Sequence, residues 1–372
     1  MSTVASGGAA APQTQRPRLI DLRGDRLGLP TAPLVRAAAK KALDDGETHY
    51  TTRPGLNPLR RAIAEKLKRE NGVVAHPERE VLVTCGTREA LFVALHVLLE
   101  RGDELVVTGP APRLYRDVAR LAGGRARLVV GDPAAGFAID PDAIGRALTR
   151  RTRALVLVNP SSPAGSVADA TRVHALGDLA TMHGLVVVSV EMLEPFVFDG
   201  AVHRSIGALP GVRERTVTIN GFSEAYGLAG WRVGYMAGPE SLLGPMTQLK
   251  QALSICSPAV SQHAALAALS ESHELLTSAR AFVEERRRRM LDALVGADVR
   301  FVRPAAGYHV LVDARDANGS LTDALRGARL RVGLGTAIGA PGWLALAMTG
   351  RPEDLEEGAA RLGRAMKGES DG

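Results

Sequence analysis

Short apolar runs alternate with stretches of helical period along most of this chain. Residues 80–84 (Glu-Val-Leu-Val-Thr) predict a strand, and the apolar positions of 88–100 recur at helical spacing. Further strands are predicted at 104–108, 126–130, 154–158, 185–190, 216–219 and 233–237, with helices near 113–122, 141–149, 167–183 and 241–252. Strands apolar on both faces and separated by helices predict a mostly parallel sheet between helices. After a long charged helix at 274–292 the pattern changes. Residues 299–302 and 308–313 alternate, 321–328 read as helix, 343–348 as strand and 352–367 as a closing helix. The expected fold is α/β: a large domain of 48–274, and a smaller α+β domain from 18–47 and 275–372. Residues 1–17 read as a flexible tail.

Composition narrows the function classes. The 372 residues are 45% hydrophobic and 23% charged, ordinary values for a soluble enzyme. The net charge of +6 is scattered, and the densest run, Glu284-Glu285-Arg286-Arg287-Arg288-Arg289, reads as a solvated helix face rather than a nucleic-acid site. Cys85 and Cys256 are the two cysteines, without zinc-type spacing, which suits a reducing cytoplasm and predicts no metal. Apolar runs such as Leu185-Val186-Val187-Val188 are too short to cross a bilayer, and no secretory signal is read at the N-terminus.

Five ordered motifs carry a resemblance. They are Ile20-Asp21-Leu22-Arg23-Gly24-Asp25 with Gly28-Leu29-Pro30; Tyr50 through Gly55 to Leu59-Arg60-Arg61-Ala62-Ile63-Ala64; Gly86-Thr87-Arg88-Glu89-Ala90; Asn159-Pro160-Ser161-Ser162-Pro163-Ala164-Gly165; and Asn220-Gly221-Phe222-Ser223-Glu224-Ala225-Tyr226 through Gly230-Trp231-Arg232-Val233-Gly234-Tyr235. Together they resemble the fold-type I, class I/II aminotransferases over about residues 18–368. The resemblance implies a seven-stranded, mainly parallel sheet and a homodimer in which Tyr50 reaches the neighbouring subunit's cofactor phosphate. It also implies a pyridoxal phosphate (PLP) site whose lysine forms a Schiff base and shuttles a proton.

The departures fall on that site. Glu224 stands where the family has its lysine, Val190 where an Asp pairs with the pyridinium nitrogen, and Leu193 where a Tyr bonds the ring oxygen. Ser162 replaces an asparagine, Pro112 the ring-stacking aromatic, Ala345 the arginine that clamps the substrate carboxylate, and Gly221 a common serine. The six lysines (Lys40, Lys41, Lys66, Lys68, Lys250 and Lys367) all fall in predicted surface helices or the C-terminal tail.

An anion cradle is expected from Arg232 with Tyr50, Thr87, Arg88, Ser162 and Ser223; the alternative for Arg232 is a structural ion pair, for example with Glu224. Glu224 in drier surroundings would have a raised pKa suited to acid or base work, opposed by Arg232, unless the position merely tolerates any polar residue. Tyr226 and His309 are lesser catalytic candidates, His309 as a proton shuttle with Glu224; each has a structural alternative. Glu191 and Glu194 are expected to point outward. The functional expectation is a PLP-independent enzyme of secondary metabolism, performing a cyclisation, condensation, dehydration or isomerisation without cofactor on a small-molecule substrate, anionic ones included. The alternatives are a non-catalytic subunit of an active aminotransferase, or an anion-binding sensor. No aminotransferase activity is expected.

Overall fold

The computed structural model describes residues 18–24, 27–317 and 320–369; the expected tail of 1–17, and Asp25 of the opening motif, lie outside them. In chain order the strands are β1 (Ile20–Asp21), β2 (Val81–Thr84), β3 (Glu104–Gly109), β4 (Arg125–Val130), β5 (Thr152–Val158), β6 (Val186–Val190), β7 (Thr216–Gly221), β8 (Gly234–Ala237), β9 (Phe301–Val302), β10 (His309–Asp313), β11 (Leu330–Arg331), β12 (Gly333–Leu334) and β13 (Trp343–Ala347). The α-helices are α1 (Pro33–Asp44), α2 (Asn57–Lys66), α3 (Thr87–Leu98), α4 (Leu114–Leu121), α5 (Pro141–Ala147), α6 (Ala170–Met182), α7 (Glu240–Ser254), α8 (Ala259–Ser270), α9 (Ser272–Gly296), α10 (Leu321–Gly327) and α11 (Pro352–Lys367).

The seven-stranded sheet runs β2-β8-β7-β6-β5-β3-β4. β8 is antiparallel to both neighbours, and the other pairings are parallel. Alternation within each strand explains the helices on both faces. Leu105, Val107, Val156 and Val188 pack with Leu91, Val118 and Met246 on one face. Val106, Leu155, Leu157 and Val187 pack with Ile144, Val173 and Leu176 on the other. A second sheet, β12-β13-β10-β9, is antiparallel. Its Val310, Val312, Leu344 and Leu346 share a core with Met290, Leu294 and Leu362 from α9 and α11. Ile20 and Leu22 enter the same core, because β1 pairs in parallel with β11.

Helix α8 is not readable as a stripe. Ala259, Ser261, Gln262, Ala264, Ala265 and Ala268 are all buried, so its small residues face neighbours on several sides. The arginine run on α9 corrects the expectation of a solvated face. Arg288 is exposed, but Arg287 is buried and donates to the Pro304 carbonyl at 2.8 and 3.0 Å, and to Asp199.

Candidate functional site

Strands β2, β3, β5, β6 and β7 run in one direction, so their carboxyl ends share one edge of the sheet. At such an edge the backbone leaves the sheet and opens a crevice. A cavity of about 710 Å3 lies there, lined from each of the five strand ends and by Tyr308 from the second sheet's side.

One end of the cavity is built for an anion. The turn after β2 is held by Glu89, whose carboxylate accepts from the Cys85 amide at 2.6 Å and from Ser254 Oγ at 2.7 Å. Gly86 follows with φ +88°, and α3 begins at Thr87. The Arg232 guanidinium folds over this turn, donating to the carbonyls of Cys85 (3.3 Å) and Ala229 (3.2 Å). A Cβ on residue 86 would lie 2.3 Å from Arg232 Nη2, so the close approach requires glycine. Arg232 itself takes a left-handed backbone with φ +53°, a conformation that non-glycine residues adopt at a cost. Steric room also accounts for Gly221: a Cβ there would stand 2.8 Å from Thr87 Cγ2. Thr87, Arg88, Ser223 and Arg232 all line this cavity.

The other end is apolar. Val158, Val190, Met192, Leu193, Pro112 and Tyr115 line it. Leu193 packs under Gly307, where a Cβ would sit 3.0 Å from Leu193 Cδ1. Burial pushes the Tyr115 hydroxyl above its ordinary value of 10, so it stays neutral. Glu224 and Ser162 are polar groups on the walls between the two ends, both partly buried.

Behind β6 lies a polar network that the sequence reading missed. Glu191 is fully buried, not outward-facing: it accepts from Ser189 Oγ (2.7 Å) and Ser205 Oγ (2.6 Å), and meets Asn71 (3.0 Å) and His203 (3.1 Å). Glu194 is bound by Lys66 and Asn71. The lysine pattern is corrected with it. Lys66 and Lys250 are buried rather than superficial, Lys66 because Glu194 and Asn71 solvate its ammonium and Lys250 in contact with Ser254 at 3.3 Å. Among the described residues, no lysine lines the cavity.

The remaining candidates separate. Thr87, Arg88, Ser162, Ser223, Glu224 and Arg232 converge on the cavity. Tyr226 does not: it is buried against Phe222 with its hydroxyl unpartnered, and burial raises that hydroxyl well above its ordinary value. His309 starts β10 opposite Ala347, with its ring against Tyr308, and is outside the lining. Tyr50 is 80% exposed and outside the cavity of its own chain. Ala345 lies among Phe137, Leu311 and Trp343, an apolar setting with no carboxylate clamp.

The family model for aminotransferase class I and II matches residues 21–362. The chain belongs to that family. It is 34% identical over 361 residues to the aspartate/prephenate aminotransferase of Thermus thermophilus, covering 94% of this chain and 91% of that one. It is 33% identical over 341 residues to the aspartate aminotransferase of Geobacillus stearothermophilus, covering 89% and 86%. Among solved structures, the aromatic aminotransferase of Pyrococcus horikoshii superposes with a TM-score of 0.91 at 32% identity, covering 94% of this chain and 96% of that one. The aspartate aminotransferase-like fold, with a large α/β domain around a mostly parallel sheet, is as the motifs imply. These relatives overturn the expected PLP-independent enzyme, and with it the non-catalytic subunit, the sensor and the exclusion of aminotransferase activity. Proteins sharing a third of the residues over most of the chain are aminotransferases by name, and substitutions at a few ring-contacting positions do not outweigh that.

The family's cofactor can be tested against these residues. The donors for its phosphate would be the start of α3 after Gly86, the Thr87 and Ser223 hydroxyls and the Arg232 guanidinium, which lies against Gly86 and donates to the Cys85 carbonyl. The apolar walls that would flank its ring include Val158, Val190 and Leu193. The resemblance sets Val190 and Glu224 at the positions of the family's Asp and lysine, so this chain supplies neither group there.

Proposed function

We propose that this chain is a PLP-dependent aminotransferase that lacks the family lysine and holds its cofactor through the phosphate, without a covalent link. The observation that carries the reading is the Arg232 guanidinium folded over Gly86 at the start of α3, with Thr87 and Ser223 beside it. A phosphate there would gain charge-assisted hydrogen bonds from the guanidinium, the two hydroxyls and the first helix amides. The named relatives support amino and keto acids as the substrate class.

When bound, PLP supplies a carbonyl that accepts the amino group and a ring that spreads the charge left at the α-carbon. Everything else falls to this chain. Glu224 is the cavity's carboxylate, and it takes the role of receiving and returning the proton at the substrate's α-carbon. Arg88 is the cavity cation besides Arg232 and draws the substrate carboxylate that Ala345 cannot hold. Val190, Leu193 and Tyr308 exclude water from the ring. We place the small domain at 18–47 and 275–372, closing over the cleft. We infer a homodimer, in which the exposed Tyr50 is free to reach a neighbouring subunit.

The test is amino exchange between isotopically labelled aspartate or phenylalanine and 2-oxoglutarate, with PLP added. We expect PLP-dependent exchange that Arg232→Ala reduces by about 10- to 100-fold at limiting PLP, the worth of a charged hydrogen bond. Absence of exchange at saturating PLP would overturn the reading.

A further inference from the structure

A second cavity, of about 460 Å3, opens between the residues flanking β1 and the segment from α10 to β12. It shares no lining residue with the strand-end cleft. One wall is apolar: Leu325, Leu330 and Val332 line it and belong to the core that α9 and α11 close. The other is cationic, because Arg23, Arg326, Arg329 and Arg331 line it and, among the described residues, no acidic one does. Three of these guanidiniums are met by carboxylates that lie off the lining. Asp21 accepts from Arg23 at 2.6 and 2.9 Å and lies 3.8 Å from Arg331, and Asp323 accepts from Arg326 at 3.0 Å. Arg329 differs. Among the described residues it pairs with no carboxylate, and its Nε is buried without a hydrogen-bond partner. A guanidinium with an unmade bond and no counter-ion gains most from an incoming anion. The Arg329 backbone is left-handed, with φ +49°, and its carbonyl accepts from the Ile20 amide at 3.0 Å. The side chain is thus set beside β1 at a position where glycine would cost least.

We propose that this cavity binds a small carboxylate with an apolar body and no amino group, and that Arg329 is its anchor. Each part of that ligand answers a feature of the lining. The planar fork of a guanidinium matches a carboxylate through charge-assisted hydrogen bonds. The wall of Leu325, Leu330 and Val332 takes hydrocarbon out of water, and an inorganic anion offers none. An ammonium is excluded by charge: it would enter among four guanidiniums with no acidic side chain on the lining to receive it. The volume is that of a small-molecule site. An amino acid is therefore rejected where its deaminated counterpart is accepted. None of these residues lines the strand-end cleft, so the site stands whether or not that cleft carries a cofactor.

The experiment is a calorimetric titration of the full chain with hydrocinnamate, which joins a carboxylate to a phenyl ring. The comparison ligands are phenylalanine (the same skeleton with an ammonium), hydrocinnamyl alcohol (no charge) and inorganic phosphate (no apolar body). The titrations are repeated on Arg329→Gly, whose backbone suits the left-handed turn, and on Leu334→Glu, which sets an acid at a half-exposed lining position. Arg88→Ala reports on the cleft. Each variant is checked for an unchanged thermal transition. We expect hydrocinnamate to bind about tenfold or more tightly than the other three ligands. Arg329→Gly and Leu334→Glu each weaken it by about tenfold or more, and Arg88→Ala leaves it unchanged. No saturable binding by the unaltered chain overturns the site. Binding lost in Arg88→Ala but kept in both cavity variants puts the ligand in the cleft and overturns the site too. Equal binding of phenylalanine overturns the exclusion of amines, equal binding of the alcohol overturns the anchoring by charge, and equal binding of phosphate overturns the apolar body.

Discussion

Residue by residue, the cavity and the wall behind it follow opposite rules. In the cavity, Val190, Leu193 and Pro112 form an apolar wall at positions where the resemblance implies an Asp, a Tyr and a ring-stacking aromatic. Behind β6, Glu191 keeps a full set of partners in complete burial. Burial would raise the Glu191 carboxyl, but the His203 hydrogen bond and charge and the two serines outweigh it and hold it below 4.5. Burial would likewise lower His203, but Glu191 and Glu194 outweigh it and raise the imidazole above 6.5. The sign follows from linkage. The raised His203 contributes stability that is complete below 6.5 and fades as pH climbs through its folded value. The lowered Glu191 contributes stability that is complete above 4.5 and fades as pH drops through its folded value. Thermal stability should therefore peak between those limits. His203→Ala should lose the alkaline dependence and cost on the order of 3 kcal/mol, as removal of one partner of a buried pair does. Denaturant melts across pH check this, and an unchanged alkaline limb in the variant would contradict it. The sequence showed which cofactor-contacting residues had changed, because each sits inside a motif. It did not show the Glu191 network: Asn71 lies 120 residues away along the chain, and His203 and Ser205 return to Glu191 through an irregular segment that carries no periodic signal.

Among the elements, all seven strands of the large sheet were legible: strands buried on both faces, such as β3 and β5, are mostly apolar, and the part-exposed β4 keeps its apolar run Leu128-Val129-Val130. Helix α8 was not, because burial on several sides erases a stripe. Helix α9 misled in the other direction. Its arginines look like a solvent face, yet Arg287 turns inward, lies 5.1 Å from the Phe198 ring centroid and ties α9 to the Pro304 carbonyl and Asp199. That tie anchors the helix to the segment leading into Tyr308, on the cavity wall. Truncating it removes the ring contact and leaves the Pro304 carbonyl without its donors. Arg287→Ala should cost about 2–4 kcal/mol in urea unfolding, more than an exposed arginine such as Arg288 costs. Equal effects at the two positions would show that α9 is not held this way.

At the scale of the molecule, the chain joins the fold of the aminotransferase family to a cleft lined by Arg88, Arg232 and Glu224 together with apolar side chains such as Val190 and Leu193. Scaffold glycines sit at close approaches: Gly86 beneath the Arg232 guanidinium, and Gly234 of β8 against the backbone at the start of α3, where a Cβ would stand 3.0 Å from the Thr87 amide nitrogen. In the proposed reading the phosphate site rests on those approaches, whereas a covalent link would rest on the single side chain at residue 224, here Glu224. The deciding measurement is retention of PLP: the chain and its Glu224→Lys variant are loaded with one equivalent, dialysed exhaustively, and their absorbance and mass compared. We expect the unaltered chain to bind PLP and then lose all of it, while the lysine variant keeps about one equivalent as a borohydride-reducible adduct. One equivalent held covalently in the unaltered cleft, or no binding by it before dialysis, would refute non-covalent anchoring through the phosphate.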